Sequence, residues 1–383
     1  MSKLTNLANA VIKEGNSIFT IPKQSLVDPH HCTVFYNPAM EFNRNLSALF
    51  LKSCLDFTKI KPNLLFDGFC GVGVRGIRYA KECDAANVVL CDASDATIPY
   101  VKKNVAVNKL QKKCKVMHMD VNQALSSLPL CDVIEMDPFG SPIQNIDSAF
   151  RRGKPHFILS LTFTDLANLC GGHKDACKRY YDAASINCEF SHELALRIIL
   201  QRVGNIASMH EFGITPLVSW YQGHYVKVFL LCEKGAAKAD SNFNKIGYAW
   251  LCRNCNSHGV GKDAVSKCPS CGNKTQIAGP LWIEKYSNKE IIRNALVELN
   301  ESKIYEEKKK QQLATFLELL IEDIEEPLFY SLPELCSSKS IGVPKTETFL
   351  TKLRGAGFKA TRTHFTPYGF RTDAPLEEIL KII

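Results

Sequence analysis

A segment with the residue types for amine chemistry, DPFGSP, occupies residues 137–142, directly after an apolar run. An exocyclic amine on a nucleobase is a poor nucleophile, because its lone pair is delocalised into the ring. A carboxylate such as Asp137 suits the task of accepting a hydrogen bond, and then a proton, from that nitrogen. An aromatic ring beside it, here Phe139, fixes the base by stacking. The segment therefore favours methylation of an amine, with a solvated acid in a proline-rich turn as the alternative.

A glycine-rich loop, GVGVRG, occupies residues 71–76 between a predicted strand and a predicted helix. Such a loop permits a tight turn and is typical of dinucleotide sites, in which a helix N-terminus faces the pyrophosphate. The rival ligand is S-adenosylmethionine (SAM), which has no phosphate and instead offers an amine and ribose hydroxyls. A purely structural turn is the third possibility.

Three acids favour SAM among these possibilities. Asp67, Asp92 and Asp120 each end one of three consecutive predicted strands, and the carboxyl ends of parallel strands line the ligand crevice of such a sheet. We expect Asp67 to bind the methionyl amine, Asp92 the ribose and Asp120 the adenine amine. Together with the loop glycines Gly71 and Gly73, these acids are the cofactor-binding residues that the pattern itself predicts.

Four cysteines form two C-x2-C pairs with twelve residues between the pairs. Two such knuckles bring four thiolates within tetrahedral reach of one zinc ion. Four protein ligands leave no open position on the metal, so the predicted zinc is structural rather than catalytic. The predicted ligands are Cys252, Cys255, Cys268 and Cys271.

Short apolar runs and helical stretches alternate from about residue 61, and this alternation positions the acids and the loop. The predicted strands are residues 63–67, 87–92, 115–120, 131–137 and 156–162. Strands spaced in this way predict βαβ units and a Rossmann-like, doubly wound parallel sheet. Two later runs, residues 213–220 and 224–233, predict an antiparallel hairpin that closes it. This α/β plan is that of the class I SAM-dependent methyltransferases, which is an argument from fold analogy.

A polar segment of small residues, 234–244, predicts a linker between two domains. We expect a methyltransferase domain over residues 1–235, with an N-terminal extension over residues 1–60. A smaller α+β domain with the zinc site follows over residues 236–383. Between the zinc site and the C-terminus, residues 288–325 predict a charged helical stretch with a solvated face.

The segment of residues 341–371 is basic, with six cations against one acid. Such an excess favours a polyanionic partner, and it makes this segment the candidate RNA-binding surface. The candidate RNA-binding residues are Lys345, Lys352, Arg354, Lys359, Arg362 and Arg371.

Composition limits the class of protein. The chain has 383 residues, 45% of them hydrophobic, and its 47 basic against 39 acidic residues give a net charge of +8. No run of about 18 apolar residues occurs and the start of the chain is polar, so we expect neither a membrane span nor a signal peptide. Most of the 16 cysteines stand singly in apolar contexts, which indicates a reducing, cytoplasmic location. No obligate protein partner is evident.

These motifs together resemble the tRNA (guanine26-N2)-dimethyltransferases, especially the archaeal type, over nearly the whole chain. The most specific pieces are VFYNPAMEFNR (residues 34–44), DGFCGVGVRG (67–76), DPFGSP (137–142), TDLANLCGG (164–172) and RTHFTPYGFRTDAP (362–375). The resemblance implies transfer of one and then a second methyl group from SAM to the exocyclic N2 of a tRNA guanine. It also implies that the C-terminal domain, with its zinc knuckle and basic tail, docks on the tRNA backbone.

The resemblance implies further residue roles. Arg44 and Arg75 would contact SAM through its carboxylate, and Val121 would join Asp120 at the adenine end. Asp137 would be the catalytic acceptor, and the rings of Phe139 and Phe35 would sandwich a guanine flipped out of its stack.

Two positions depart from the family pattern. Asn45 stands where the family often has an acid, and Phe163 stands where it has a small residue.

Two other classes of function stay open. One alternative is another amino-methyltransferase, acting on adenine N6 or on a protein amide. The other is a zinc-bearing RNA-binding module without catalytic activity.

Overall fold

The computed structural model describes residues 8–324 and 326–383. Residues 1–7, at the start of the predicted N-terminal extension, and Glu325, at the end of the predicted charged stretch, lie outside the described residues. The strands are β1 (Asn9–Glu14), β2 (Ser17–Pro22), β3 (Leu64–Gly68), β4 (Asn87–Asp92), β5 (Cys114–His118), β6 (Cys131–Met136), β7 (Gly153–Phe163), β8 (Phe212–Gln222), β9 (Tyr225–Lys234), β10 (Ile246–Leu251), β11 (His258–Gly261), β12 (Gln276–Trp282), β13 (Tyr330–Ser331), β14 (Ala360–Arg362) and β15 (Gly369–Thr372). The helices are α1 (Glu41–Thr58), α2 (Val74–Glu82), α3 (Ile98–Val107), α4 (Val121–Ser127), α5 (Ile146–Arg152), α6 (Leu166–Leu169), α7 (Lys174–Tyr181), α8 (Ser191–Met209), α9 (Ala236–Phe243), α10 (Lys289–Glu301), α11 (Glu307–Glu322), α12 (Leu332–Ser338), α13 (Thr346–Gly355) and α14 (Leu376–Ile382).

A seven-stranded sheet is the framework of the fold, in the order β5-β4-β3-β6-β7-β9-β8. The pairs β3–β4, β3–β6, β4–β5 and β6–β7 are all parallel. Helices follow β3, β4, β5 and β6 along the chain, as right-handed βαβ connections require. The predicted α/β class I methyltransferase fold is confirmed.

The glycine loop brings helix α2 close to the end of β3. Gly71 and Gly73 have φ values of +52° and +85°, a left-handed conformation that glycine adopts without steric cost. A Cβ atom on Gly76 would lie 2.3 Å from a methyl carbon of Leu90 and 2.7 Å from a carboxylate oxygen of Asp67. Close packing of the helix on the strands therefore requires glycine at this position.

The chain divides into two compact units. The first comprises the chain up to Thr162 together with residues 229–234 and 290–314, and the second comprises residues 163–228, 235–289 and 315–383. The predicted domains were continuous, whereas both of these units are made of separate segments. One boundary between the two units lies between Lys234 and Gly235. The predicted domain boundary, between residues 235 and 236, lies one residue later.

Two predicted segments have a different local structure. Residues 234–244, expected to be a linker, contain helix α9, in which Ala239 and Asn242 are buried. The Asn242 side chain donates to the carbonyl of Phe212 and accepts from the N–H of Ile214, and these bonds fasten the helix within the second unit. The charged stretch of residues 288–325 contains two helices, α10 and α11, rather than one.

The second unit contains two small sheets, in the orders β11-β10-β12 and β13-β15-β14. The first two predicted zinc ligands follow β10, and the other two lie between β11 and β12. Among the described residues, no helix is both long and apolar enough to cross a membrane.

Candidate active site

Asp67 lies at the end of β3, where only 1% of its surface is exposed. Its Oδ2 accepts a hydrogen bond of 2.8 Å from the N–H of Gly76 at the start of α2. Burial, and then the charge of Glu135 on the neighbouring strand, raise the pKa of Asp67 to about 8. A buried carboxylate with this pKa favours a cation beside it, because a cation would stabilise the ionised form.

Asp92 and Asp120 occupy the corresponding positions after β4 and β5. Asp92 accepts hydrogen bonds of 2.9 Å from the N–H groups of Gly71 and Ser94, so it holds the glycine loop. Asp120 is exposed and caps helix α4, where its Oδ1 accepts a hydrogen bond of 2.8 Å from the N–H of Asn122. A carboxylate has about four lone-pair sites, so both acids keep capacity for hydroxyl or amine donors.

Asp137 directly follows β6 and forms an ion pair with Arg75. The Nη2 of Arg75 lies 2.5 Å from an Asp137 carboxylate oxygen and also donates to the Oδ1 of Asn43 at 2.9 Å. The Asp137 side chain is 24% exposed, whereas that of Arg75 is 5% exposed. A buried guanidinium therefore holds the carboxylate at a partly open surface.

An acid that the sequence analysis did not single out, Glu135, helps to hold Arg75 in place. Glu135 is fully buried within β6; its Oε1 lies 3.7 Å from the Nε of Arg75, and its Oε2 accepts a hydrogen bond from the Tyr79 hydroxyl at 2.9 Å. Glu135 is also paired in register with Asp67 on β3. An acid flanked by the apolar residues Val133, Ile134 and Met136 in the middle of a buried strand is the signal in the sequence that could have found it.

Arg44 occupies a separate buried ion pair in the first unit. Its Nε donates to a Glu14 carboxylate oxygen at 2.8 Å, and its guanidinium lies 5.0 Å from the centre of the Tyr36 ring. Burial raises the pKa of Glu14, but Arg44 outweighs that effect and the pKa is lowered. The contact between Arg44 and a cofactor carboxylate stays a prediction.

Phe35 and Phe139 contact each other. Their ring centres are 4.4 Å apart with an angle of 75° between the planes, and Phe139 is 70% exposed. A base held between two rings needs parallel planes about 7 Å apart, which is two stacking distances. The predicted pair of residues is therefore brought together, but the sandwich is not preformed, because the two rings make the edge-to-face contact that aromatic pairs favour.

The four predicted zinc ligands form one cluster. Their sulfur atoms all lie within 4.8 Å of one another, with 3.5 Å between those of Cys252 and Cys271 and 3.6 Å between those of Cys255 and Cys268. Zinc–thiolate bonds of about 2.3 Å in a tetrahedron place sulfur atoms about 3.8 Å apart. His258 is not in the cluster; its ring packs against Tyr330 with ring centres 4.3 Å apart. The cysteine set therefore fits a four-coordinate structural zinc.

Five of the six candidate RNA-binding cations are exposed, namely Lys345, Lys352, Arg354, Lys359 and Arg362. The prediction for the sixth, Arg371, is wrong, because this side chain is 2% exposed. Its guanidinium lies 2.8 Å from a Glu193 carboxylate oxygen and 2.7 Å from one of Asp323. Burial raises the pKa of Glu193, but Arg371 and then Arg197 outweigh it and hold that pKa at about 2.

Replacing Arg371 with methionine should lower the free energy of unfolding by at least about 3 kcal/mol, because it leaves buried carboxylates without their cation. The stability that Glu193 contributes is present above its ordinary pKa and is lost as the pH falls towards 2, so the variant should lose this acid-sensitive part. Denaturant titrations at several pH values measure both effects. Arg362→Met, at an exposed position, should change stability by less than about 0.5 kcal/mol. Equal stability of the two variants would contradict a structural role for Arg371.

Comparison with known proteins shows similarity over nearly the full length. The family model of the N2,N2-dimethylguanosine tRNA methyltransferases matches residues 15–383. The chain is 31% identical to a tRNA (guanine(26)-N(2))-dimethyltransferase of Methanosarcina mazei and 33% identical to one of Methanococcus maripaludis, with 97% of each chain covered in both comparisons. Its structure is similar to that of Trm1 from Pyrococcus horikoshii in complex with S-adenosyl-L-methionine. The TM-score is 0.87 at 29% identity, covering 98% of this chain and 99% of that one.

Proposed function

The chain belongs to the N2,N2-dimethylguanosine tRNA methyltransferase family, and on this premise we propose that it methylates the exocyclic N2 of the guanine at tRNA position 26, using SAM. The observation that carries the proposal is the position of the Asp137 carboxylate. This carboxylate is partly exposed and is paired with Arg75, which belongs to the glycine loop, and three other acids lie at the ends of neighbouring strands. The relatives from Methanosarcina mazei and Methanococcus maripaludis are both named for this reaction at position 26.

The residues present fit SAM, which supplies an electrophilic methyl group when bound. Glu135 and Asp137 share the guanidinium of Arg75, and Asp67 is paired in register with Glu135, so three acids are grouped around one fixed cation and the site suits a cationic ligand. Among the described residues, the buried Nη1 of Arg75 has no hydrogen-bond acceptor. A ligand carboxylate would provide one, in the charge-assisted fork that arginine favours. Asp67 would hold the amine, Asp92 the ribose, and Asp120 with Val121 the adenine.

Asp137 would perform the proton chemistry of the reaction. Its carboxylate would accept a hydrogen bond from the guanine N2 amine and orient the nitrogen lone pair. As the carbon–nitrogen bond forms, the carbon–sulfur bond of the donor would break with its electron pair staying on sulfur, and Asp137 would receive the proton from nitrogen and pass it to solvent. The ion pair with Arg75 fixes the direction of the Asp137 carboxylate. After the first transfer the amine still has one N–H, which is directed to Asp137 for the second. The exposed ring of Phe139 offers a stacking surface for the base.

Incubation of the purified protein with tRNA transcripts and isotopically labelled SAM tests this proposal. Mass spectrometry of the digested nucleosides should find labelled N2-methylguanosine followed by N2,N2-dimethylguanosine. A transcript with adenine in place of the guanine at position 26 is the matched control and should gain no label. Label on adenine, on protein, or at another guanine alone would contradict the proposal.

The raised pKa of Asp67 gives SAM binding a pH dependence. Because the ionised carboxylate binds the ammonium group, SAM affinity should increase from pH 6 to about pH 8, the pKa of this group, by up to about tenfold per unit. Asp67→Asn should bind SAM weakly and without this dependence. Calorimetric titrations at several pH values measure the affinities.

The stability of the cofactor-free protein provides the control for this prediction. A carboxyl group with a raised pKa stabilises the fold at low pH, and that contribution is lost as the pH rises towards 8. Asp67→Asn should therefore gain stability relative to the wild type on going from pH 6 to pH 8. A wild-type SAM affinity that is constant over this range would refute the role of Asp67.

Exposed cations in and beside helix α13 would contact the tRNA backbone. Lys352 and Arg354 lie in this helix and Lys359 follows it, and all three side chains are exposed. Replacing all three with alanine should weaken tRNA binding and reduce the slope of log affinity against log salt by up to about three, because each lost phosphate contact removes about one released counterion. Fluorescence anisotropy with labelled tRNA measures this. Unchanged affinity would place the RNA surface elsewhere.

The proposal includes a cytoplasmic location and tRNA as the macromolecular partner. None of the 16 cysteines forms a disulfide in the part of the chain that the structure describes, and most are buried, which suits a reducing compartment. The absence of an obligate protein partner stays a prediction.

A further inference from the structure

Four aromatic rings form a nearly parallel stack in the second unit, and we call it the aromatic column. His192 and Tyr221 have ring centres 4.0 Å apart with an angle of 14° between the planes. Tyr221 and Phe365 are separated by 6.1 Å at 12°, and Phe365 and Phe329 by 5.7 Å at 15°. Three successive parallel contacts are an unusual arrangement, because many aromatic pairs in proteins meet edge to face.

The aromatic column is buried at one end and partly open at the other. Phe329 and Phe365 are 1% and 4% exposed, whereas His192 and Tyr221 are partly exposed. Among the described residues, His192 makes no second ring contact and no hydrogen bond through its side chain, so stacking on Tyr221 is its one specific interaction. His192, the outer ring of the column, therefore contributes less to the packing of the unit than the inner rings Phe365 and Phe329 do.

Separate parts of the chain fix the column in position. His192 lies in the first turn of α8, Tyr221 lies near the end of β8, and Phe365 lies between β14 and β15. The hydroxyl of Tyr221 donates to the Gly223 carbonyl at 2.7 Å, and its backbone N–H donates to the Nε2 of His364 at 3.4 Å. Tyr221 is thus held at both ends, which presents its ring and that of His192 as a rigid flat surface.

We propose that His192 is the outer ring of a platform on which an unstacked tRNA base rests, distinct from the guanine that is methylated. This inference rests on the proposed function, which makes tRNA the substrate. Every base has a flat face, and stacking on a fixed aromatic ring holds it without reading its edges.

The His192 ring is suited to stacking rather than to charge attraction. Burial lowers the pKa of His192, so the imidazole is neutral at neutral pH. A neutral ring releases no counterion when RNA binds, so its contribution should not depend on salt. This distinguishes the platform from the exposed cations near α13, whose contribution falls as salt increases.

Anisotropy titrations with labelled tRNA at several salt concentrations test the platform. His192→Ala should weaken tRNA binding by about tenfold, within the roughly 5- to 150-fold range that base stacking spans, without changing the salt slope. His192→Phe should restore affinity to within about twofold of wild type, because it restores the ring. Phe243→Ala removes a ring that is 55% exposed in the same unit but outside the basic segment of residues 341–371, and it is the matched control; its affinity should equal that of wild type.

Three results would overturn the inference. His192→Ala with wild-type tRNA affinity and a lowered melting temperature would make the column purely structural. A loss of affinity with a changed salt slope, or one that phenylalanine does not restore, would make the contact polar. In each of these cases the wild-type protein still binds and methylates tRNA, so the proposed function stands; failure of the wild type to bind tRNA would instead defeat the proposed function.

Discussion

Asp137→Asn should slow methyl transfer to tRNA by about 10²–10⁴-fold, the range that general base catalysis contributes. Asparagine keeps the shape of the side chain and one acceptor oxygen, but it cannot receive the proton that the N2 amine must lose. Single-turnover measurements with saturating SAM and tRNA report the chemical step directly. The side-chain oxygen of asparagine can still accept the hydrogen bond from the Nη2 of Arg75, so Arg75 should keep its position and SAM affinity should stay within a few-fold of wild type.

Asp147→Asn is the matched control for this prediction. Asp147 lies in α5, in the same unit, and its carboxylate also pairs with an arginine, Arg151, at 2.7 Å. The control should keep the rate of wild type. If Asp137→Asn loses rate and SAM affinity in equal measure, Asp137 belongs to the cofactor site rather than to the proton path.

Cys252→Ser should remove a bound zinc ion and unfold the part of the second unit that contains the small sheet β11-β10-β12. Metal binding of this type contributes folding free energy on the order of 10 kcal/mol. Metal analysis of the purified protein should find one zinc per wild-type chain and none in the variant. Thermal denaturation should show a lower first transition, while SAM binding changes little.

Cys170→Ser tests whether any cysteine replacement has this effect. Cys170 lies in the second unit outside the cluster, and its thiol contacts the carbonyl of Ser191 at 3.6 Å. The variant should keep its zinc and its melting temperature. A Cys252→Ser protein that melts like wild type would show that the cluster does not stabilise this unit through a metal.

The positions of the strands along the chain and of the site acids were predictable from the sequence, because both follow from local patterns. Apolar runs that end in acids predicted β3, β4 and the end of β6, and they placed Asp67, Asp92 and Asp137 at the carboxyl ends of parallel strands. The cysteine spacing likewise defined its cluster without reference to the rest of the chain.

Pairing between distant residues was not predictable in this way. Arg371 lies in a basic segment, yet it is buried between Glu193 and Asp323, which are far from it in sequence. A count of charges along the chain cannot distinguish a cation that faces solvent from one that neutralises buried acids. Helix α9 was missed for a similar reason, since small polar residues such as those of residues 234–244 form a helix here through the buried contacts of Asn242.

The central claim is that Asp137 receives the proton of an RNA amine beside a bound methyl donor, and a crystal structure of the protein with SAM tests it most directly. In-line transfer needs the methyl carbon about 3–3.5 Å from the amine nitrogen, and that nitrogen within hydrogen-bond distance of the carboxylate. The donor methyl carbon should therefore lie within about 6 Å of an Asp137 oxygen, with the ammonium group at Asp67. A methyl carbon more than about 10 Å from Asp137, or one directed away from it, would contradict the account.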